Sequence, residues 1–231
     1  MSYIEGENLV KRYGHGESAV IALHDTSFAI DEGEFVAVMG ESGSGKSTLL
    51  SIIGALNTPT AGSLVVNGTD VYALGQDGRA DFRRTSVGFV FQNFHLIPYL
   101  TLAENVMLPL ATVKASRRKK RAMANDALTR VGLAAKAARL PNQISGGEQE
   151  RVAIARAIVN QPPLLLADEP TGNLDSRTGN EIMRLLCDLN NERVTIIMVT
   201  HNRDYAHVAR RILEMADGTL AGHNGHNAQA T

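Results

Sequence analysis

The hydrophobic residues of this chain are concentrated in short, uninterrupted runs. Four runs lack polar alternation and end in glycine or polar residues: FVAVMG at 35–40, VGFVFQ at 87–92, LLLADE at 164–169 and TIIMVTH at 195–201. Strands covered on both faces of a parallel sheet show this pattern, and ligands collect at the carboxyl ends of such strands. We therefore predict that one site contains the residues that end these runs: Gly40, Gln92, Asp168, Glu169 and His201.

Other stretches predict hairpins and helices around this core. Asn67-Gly68 and Asp217-Gly218 each stand between strand-like residues, which is the usual signal for a tight antiparallel hairpin. In residues 93–160 the apolar positions follow helical spacing instead. The pattern predicts one α/β domain over residues 1–221, with core segments 1–92 and 161–221, a helical insertion at about 93–160, and a flexible polar tail, GHNGHNAQAT, at 222–231.

Composition and charge exclude several classes of protein. The net charge of -1 gives no overall attraction to nucleic acid or to an anionic membrane. We interpret the basic run RRKKR at 117–121 as a solvated helix face, with a nucleic-acid or phospholipid patch as the alternative. No run reaches the roughly 18 apolar residues of a membrane span. With Cys187 as its single cysteine, the chain is expected to belong to the reducing cytoplasm.

The most specific motif is a glycine-rich phosphate loop. GESGSGKST at 40–48 fits G-x-x-x-x-G-K-[ST], and it lies between an apolar strand and a helical segment, as that motif requires. Glycines let backbone N–H groups face phosphate oxygens, and the next helix presents its positive end. Lys46 should reach the β- and γ-phosphates, and Ser47 should bind Mg²⁺. The expected nucleotide cradle comprises Gly40, Glu41, Ser42, Gly43, Ser44, Gly45, Lys46, Ser47 and Thr48.

Two carboxylates end the strand that LLLADE predicts. An unpaired carboxylate at the end of a buried strand costs several kcal/mol unless a cation is nearby, and Mg²⁺ meets that need. Asp168 is therefore expected to support the metal. Glu169 is placed to orient or deprotonate an attacking water. Two solvated acids at a strand end are the alternative interpretation.

A second glycine-rich helix start, ISGGEQ at 144–149, completes a recognisable set of motifs. With the phosphate loop and the acidic strand, it resembles the nucleotide-binding subunit of an ATP-binding cassette (ABC) transporter over roughly residues 1–220. ISGGEQ is similar to the signature sequence of that family, with Ile144 in place of the usual leucine. The resemblance implies a P-loop NTPase (RecA-like) core with an N-terminal antiparallel β subdomain and an inserted α-helical subdomain.

The resemblance also implies roles for single residues. Tyr13 corresponds to the aromatic residue that stacks on adenine, and Gln92 to the Q-loop glutamine, which joins Ser47 and Asp168 as a metal ligand. His201 corresponds to the switch histidine at the γ-phosphate, and Asp175 in TGNLD to the D-loop aspartate. Considered alone, Tyr13 would be interpreted as a packing or hairpin-surface residue, and Gln92 as a polar loop residue.

In that family the signature residues act on a second subunit. Ser145, Gly146, Gly147 and Glu148 are implied to close over the γ-phosphate that the partner holds, so that two chains clamp two ATP molecules head to tail. A helix start is suited to this role, because it offers free N–H donors and about half a positive charge. The alternative interpretation is that Ser145, Gly146 and Gly147 form an ordinary glycine-rich helix cap.

The implied partners are a second copy and an integral-membrane permease on another polypeptide, which places the complex peripherally on the cytoplasmic face of the membrane, without nucleic acid. TGNLD and SGGEQ resemble the branch with lipoprotein-releasing, macrolide-exporting and antimicrobial-peptide-exporting ATPases. Phe94 and Tyr99 would suit a coupling-helix groove, with core packing as the rival interpretation. The alternative functions are a non-transporting, force-transmitting complex of the cell-division type, an ABC ATPase acting on nucleic acid or ribosomes, and a P-loop kinase.

Overall fold

A computed structural model describes residues 2–14, 16 and 19–225, with only the backbone described for 221–225. Its strands form two sheets. The first is antiparallel, in the order β2-β1-β4-β5, with β1 at Ile4–Tyr13, β2 at Val20–Ile30, β4 at Ala61–Val66 and β5 at Thr69–Asp70. The second has the order β10-β9-β3-β8-β7-β6, with β3 at Phe35–Met39, β6 at Val87–Val90, β7 at Leu164–Asp168, β8 at Thr195–Val199, β9 at Arg211–Ala216 and β10 at Thr219–Gly225.

The second sheet contains every strand predicted from an uninterrupted apolar run. Strands β9, β3, β8, β7 and β6 are parallel, and β10 adds an antiparallel edge. The predicted hairpins at Asn67-Gly68 and Asp217-Gly218 join β4 to β5 and β9 to β10. The expected α/β fold with a separate antiparallel β subdomain is confirmed.

The two faces of the parallel sheet are covered by two hydrophobic clusters. Leu165 of β7 and Ile196 of β8 point into one cluster, whereas their neighbours Leu164, Leu166 and Ile197 point into the other. Successive strand side chains point to opposite faces, so covering both faces requires apolar residues at every position. This explains why these strands have no polar alternation.

Among the described residues, seven α-helices surround the sheets. They are α1 at Lys46–Ile53, α2 at Gln76–Ser86, α3 at Leu102–Met107, α4 at Arg117–Arg130, α5 at Gly146–Ile158, α6 at Ser176–Asn191 and α7 at Arg203–Ala206. Between residues 93 and 160 the described secondary structure is helical, with 3₁₀ turns at Leu108–Leu110, Ala134–Lys136 and Pro141–Gln143. Helix α5 packs on α3 and α4 and also on β6, so it connects this helical segment to the core. The basic run begins α4, where residues 117–119 are exposed.

The boundary of the polar tail differs from the sequence-based expectation. The backbone of residues 222–225 belongs to β10 and pairs with β9, so the strand continues into the segment that was assigned to the tail. Backbone ladder hydrogen bonds do not require apolar side chains, so the hydrophobic pattern gave no sign of these residues. Residues 226–231 lie outside the part of the chain that the structure describes.

Candidate functional site

Two adjoining cavities lie at the carboxyl ends of the parallel strands. One, of about 660 Å³, is lined by phosphate-loop residues together with Gln92, Asp168, Glu169 and His201. The other, of about 690 Å³, is lined by residues 39–44, His201 and part of β9. The structure therefore brings together the five residues that end the apolar runs, although they are far apart in sequence.

The phosphate loop wraps around the side chain of Lys46. This side chain is buried, and its ammonium donates hydrogen bonds to the carbonyl oxygens of Gly40 at 2.8 Å and Glu41 at 2.7 Å. Gly45 has a φ of 101°, and a Cβ there would lie 2.3 Å from the carbonyl oxygen of Ala22. Only glycine fits this position without strain. Gly45 is also the N-cap residue of α1 and provides no side-chain cap, which leaves the first N–H groups of α1 directed at the loop.

Asp168 and Ser47 meet beside the loop. The Ser47 hydroxyl donates to Asp168 Oδ1 at 3.1 Å. Burial raises the pKa of the Asp168 carboxyl, and the charge of Glu169 raises it further, whereas the Ser47 hydrogen bond and the Lys46 charge oppose the rise. A cation at this carboxylate would offset the cost of burying its charge. A carboxylate and a hydroxyl are hard oxygen ligands, which Mg²⁺ prefers.

Glu169 and His201 form a direct contact at the edge of the 660 Å³ cavity. His201 Nδ1 lies 2.7 Å from Glu169 Oε2, and the Glu169 side chain is only 17% exposed, against 66% for His201. The Glu169 backbone has a φ of 49°, and its N–H donates to the carbonyl of Val199 at 2.9 Å. Strand β8, which ends just before His201, thus also fixes Glu169 in an uncommon backbone conformation.

Two residues of TGNLD that the sequence analysis did not single out border this contact. A Cβ on Gly172 would lie 3.2 Å from Glu169 Oε2 and 3.5 Å from Gln92 Nε2. Asn173 Nδ2 donates to the backbone carbonyl of Gln92 at 3.0 Å. Their position directly after the acidic strand end was the only signal in the sequence that could have found them.

The signature residues lie apart from both cavities. Ser145 caps α5, because its Oγ accepts the Glu148 N–H at 3.3 Å while Glu148 Oε2 accepts the Ser145 N–H at 3.1 Å. Gly146 is exposed. Gly147 faces α6, where a Cβ would lie 2.1 Å from Thr178 Cγ2. The structure of a single chain therefore brings Ser145, Gly146, Gly147 and Glu148 together with one another and not with the phosphate loop.

Asp175 caps α6 and lies close to the signature helix. Its Oδ1 accepts the Thr178 N–H at 3.0 Å, and its Oδ2 accepts the Thr178 hydroxyl at 2.7 Å. These hydrogen bonds lower the pKa of the Asp175 carboxyl. Because Thr178 also contacts Gly147, Asp175 and the start of α5 are linked within one chain.

Tyr13 lies at the end of β1 and is 42% exposed. Its hydroxyl accepts a hydrogen bond from Asn57, and the Lys11 ammonium lies 4.9 Å from its ring centroid. Tyr13 pairs with Val20 of β2, two residues before Ala22, which lines the 660 Å³ cavity. The ring itself does not line either of the two cavities described above.

Comparison with known proteins gives close matches. A family model described as ABC transporter matches residues 23–172. The uncharacterized ABC transporter ATP-binding protein MJ1508 of Methanocaldococcus jannaschii is 46% identical over 217 residues, which cover 94% of this chain and 97% of that protein. The macrolide export ATP-binding/permease protein MacB of Burkholderia pseudomallei is 45% identical over 93% of this chain but only 33% of its own length. This chain thus spans about a third of the MacB relatives.

Solved structures agree with the fold. The dimeric structure of a post-hydrolysis state of the ATP-binding cassette MJ0796, bound to ADP and Pi, matches with a TM-score of 0.88 at 44% identity, covering 96% of this chain and 98% of that one. The cbiO1 protein of Clostridium perfringens, part of the ABC transporter complex cbiONQ, matches with a TM-score of 0.85 at 28% identity, covering 97% and 88%. In the part of the chain that the structure describes, no helix is long and apolar enough to cross a membrane. The family model and these relatives show that the chain belongs to the ABC transporter family and is an ATPase.

Proposed function

We propose that this chain is the ATP-hydrolysing subunit of a transporter of the export or lipoprotein-release type. Two copies would close head to tail around two Mg-ATP and drive a membrane permease on another polypeptide, at the cytoplasmic face of the membrane. MacB supports the branch and the permease partner, because it is itself an ATP-binding/permease protein for macrolide export. The dimeric MJ0796 cassettes support the dimer.

The hydrolytic role rests on the contact between Glu169 and His201 at 2.7 Å beside the phosphate loop. Glu169 would orient the attacking water and accept its proton, and His201 would hold the carboxylate and contact the γ-phosphate. Lys46 would compensate the negative charge that develops on the phosphates. Gln92 and Glu169 both border Gly172, and Gln92 would contact the same γ-phosphate.

The residues around Asp168 fit a magnesium ion. Ser47 and Asp168 supply a hydroxyl and a carboxylate that already lie 3.1 Å apart, and Gln92 adds an amide oxygen on the wall of the same cavity. A site with few protein ligands suits Mg²⁺, which keeps several of its waters. When bound, the ion would neutralise phosphate charge during hydrolysis.

The adenine and the partner subunit would be held by residues outside the two cavities. Tyr13 is exposed at the end of β1 and would stack on adenine. Gly146 and Gly147 begin α5, and within the described residues neither N–H has an assigned acceptor, so both are suited to a phosphate carried by the partner. Release of the hydrolysed phosphate would remove the contact that joins the two chains and let them separate.

The loop at residues 97–101, between β6 and α3, offers a surface for the permease. Tyr99 at its tip is 78% exposed, whereas Phe94 is half-buried. The completely buried Asn105 holds the loop, because it accepts the Ile97 N–H at 2.7 Å and donates to the carbonyls of Ile97, Leu100 and Thr101. Because Tyr99 is exposed on a backbone that Asn105 holds in place, a contact with another protein explains it better than core packing does.

The Glu169→Gln variant tests the shared site. It should lose nearly all hydrolysis while it retains ATP binding, because the amide keeps the shape of the side chain but cannot accept a proton. Mg-ATP should then drive the variant into a stable dimer, which size-exclusion chromatography with light scattering detects. Glu7→Gln, an exposed glutamate on β1, is the matched control and should behave as the unmodified chain does. An ATP-loaded variant that stays monomeric at high protein concentration would refute the shared site.

Affinity purification from membranes tests the permease. A co-purified permease with a large extracytoplasmic domain would support the export or lipoprotein-release branch. An importer-type permease with a binding protein, or a membrane partner of the cell-division type that moves no solute, would overturn it.

A further inference from the structure

Glu148 places a negative charge at the helix start that would receive a partner's phosphate. It is the third residue of α5, and its carboxylate completes the cap of that helix through the Ser145 N–H. A carboxylate near a helix N-terminus stabilises the helix, but it also cancels part of the positive potential there. An anion approaching the same end would be repelled by it.

Lys136 compensates this charge. Its ammonium forms an ion pair with Glu148 Oε1, whereas Glu148 Oε2 binds the Ser145 N–H. The side chains are only 34% and 15% exposed, so solvent screens the pair less than it screens an ordinary surface pair. The hydrogen bond from Lys136 and that from Ser145 lower the pKa of the Glu148 carboxyl, so Glu148 stays ionised and needs the cation.

The backbone around Lys136 is held in place. Lys136 ends the 3₁₀ turn Ala134–Lys136, and its own N–H donates to the carbonyl of Leu133 at 2.9 Å. The next residues bind the start of α3, because the N–H groups of Leu102 and Ala103 donate to the carbonyls of Arg139 and Ala137 at 2.8 and 3.0 Å. The ammonium is thus directed at Glu148 by a fixed segment.

We propose that Lys136 is a positioning residue for ATP-driven closure: it neutralises Glu148 so that the Ser145-capped helix start stays attractive to the γ-phosphate of the partner's ATP. This inference rests on the proposed function, in which the signature residues act on the second subunit. Lys136 acts through Glu148 and does not itself contact nucleotide.

The test uses the Glu169→Gln background, in which dimerisation by Mg-ATP is measured by sedimentation equilibrium. Lys136→Met should weaken the dimer by at least about tenfold, because each of the two shared sites is left with one partly screened, uncompensated charge. Lys136→Arg should stay near the parent. Adding Glu148→Gln to Lys136→Met removes the uncompensated charge and keeps the cap, so it should restore dimerisation to within about threefold. Raised salt should reduce the effect of Lys136→Met.

Two controls separate this role from a structural one. Arg130→Met removes another ion pair from the helical segment, that with Glu192, and should leave dimerisation unchanged. ADP binding to the monomer, which uses the chain's own phosphate loop, should be unaffected by Lys136→Met.

A Lys136→Met variant that dimerises as the parent does, or a double variant that is not rescued, would overturn the inference while the shared site stands. If the Glu169→Gln parent itself fails to dimerise with Mg-ATP, the shared site is wrong and the inference falls with it.

Discussion

Glu150 provides a stability test that is independent of nucleotide. It lies on α5 two residues after Glu148, is 1% exposed, and neither carboxylate oxygen has a hydrogen-bond partner among the described residues. Burial raises the pKa of this carboxyl from 4.5 to about 8, although the charge of Arg156 opposes the rise. Arg156 forms no hydrogen bond with Glu150; its guanidinium instead donates to the carbonyls of Phe94 and His95 at 2.6 Å each.

The sign of the pH dependence follows from proton binding. Above its ordinary pKa of 4.5, Glu150 is ionised in the unfolded chain, but the folded chain keeps the proton until about pH 8. The folded state therefore binds more protons in this interval, so its stability falls as the pH rises, by up to about 1.4 kcal/mol per pH unit. Glu150 would thus contribute a loss of about 3 kcal/mol between its ordinary pKa and pH 7.

Glu150→Gln removes this dependence, because an amide does not ionise in either state. A buried amide without partners also costs energy, but that cost is the same at every pH. The quantity to measure is the free energy of unfolding of Glu150→Gln minus that of the unmodified chain. This difference should shift by about 2–3 kcal/mol in favour of the variant between pH 5 and pH 7. Urea unfolding followed by circular dichroism at both pH values gives it, with Glu7→Gln as the exposed control. If the free energies of unfolding of Glu150→Gln and of the unmodified chain change in parallel with pH, Glu150 does not have a raised pKa.

Two further substitutions test the loop and the adenine contact. Asn105→Ala should lower the free energy of unfolding by about 2–3 kcal/mol, because it leaves partly buried backbone groups of the 97–101 loop unpaired. Asn125→Ala on the exposed face of α4 should change the free energy of unfolding little. Equal losses for the two variants in urea unfolding would contradict this account. Tyr13→Leu should raise the KM for ATP several-fold with little change in kcat, because it removes the ring that stacks on adenine. Tyr13→Phe keeps the ring and should match the unmodified chain in steady-state ATPase assays. An unchanged KM in Tyr13→Leu would show that Tyr13 does not contact adenine.

The local pattern of residues determined much of the fold and the family. The apolar runs at β3, β6, β7 and β8 predicted strands that the structure contains, because a strand buried on both faces must be apolar at every position. The phosphate loop and signature motifs predicted an ABC ATPase, and the family comparison confirms this. The glycines of the phosphate loop could also be predicted from the motif, because the loop needs backbone conformations such as the φ of 101° at Gly45, although the close approach of Ala22 to Gly45 was visible only in the structure.

Contacts between distant segments were decided only by the tertiary structure. The order of the strands in the sheet, the meeting of Glu169 with His201, and the ion pair of Lys136 with Glu148 each depend on how whole elements pack. The sequence gives no sign that Glu150 lacks a partner, because a glutamate on an amphipathic helix is normally solvated. The sequence pattern also did not predict that β10 extends beyond the apolar residues, because the extension depends on backbone pairing with β9. Hydrogen bonding and burial depend on neighbours in space, whereas a sequence pattern reports only neighbours along the chain.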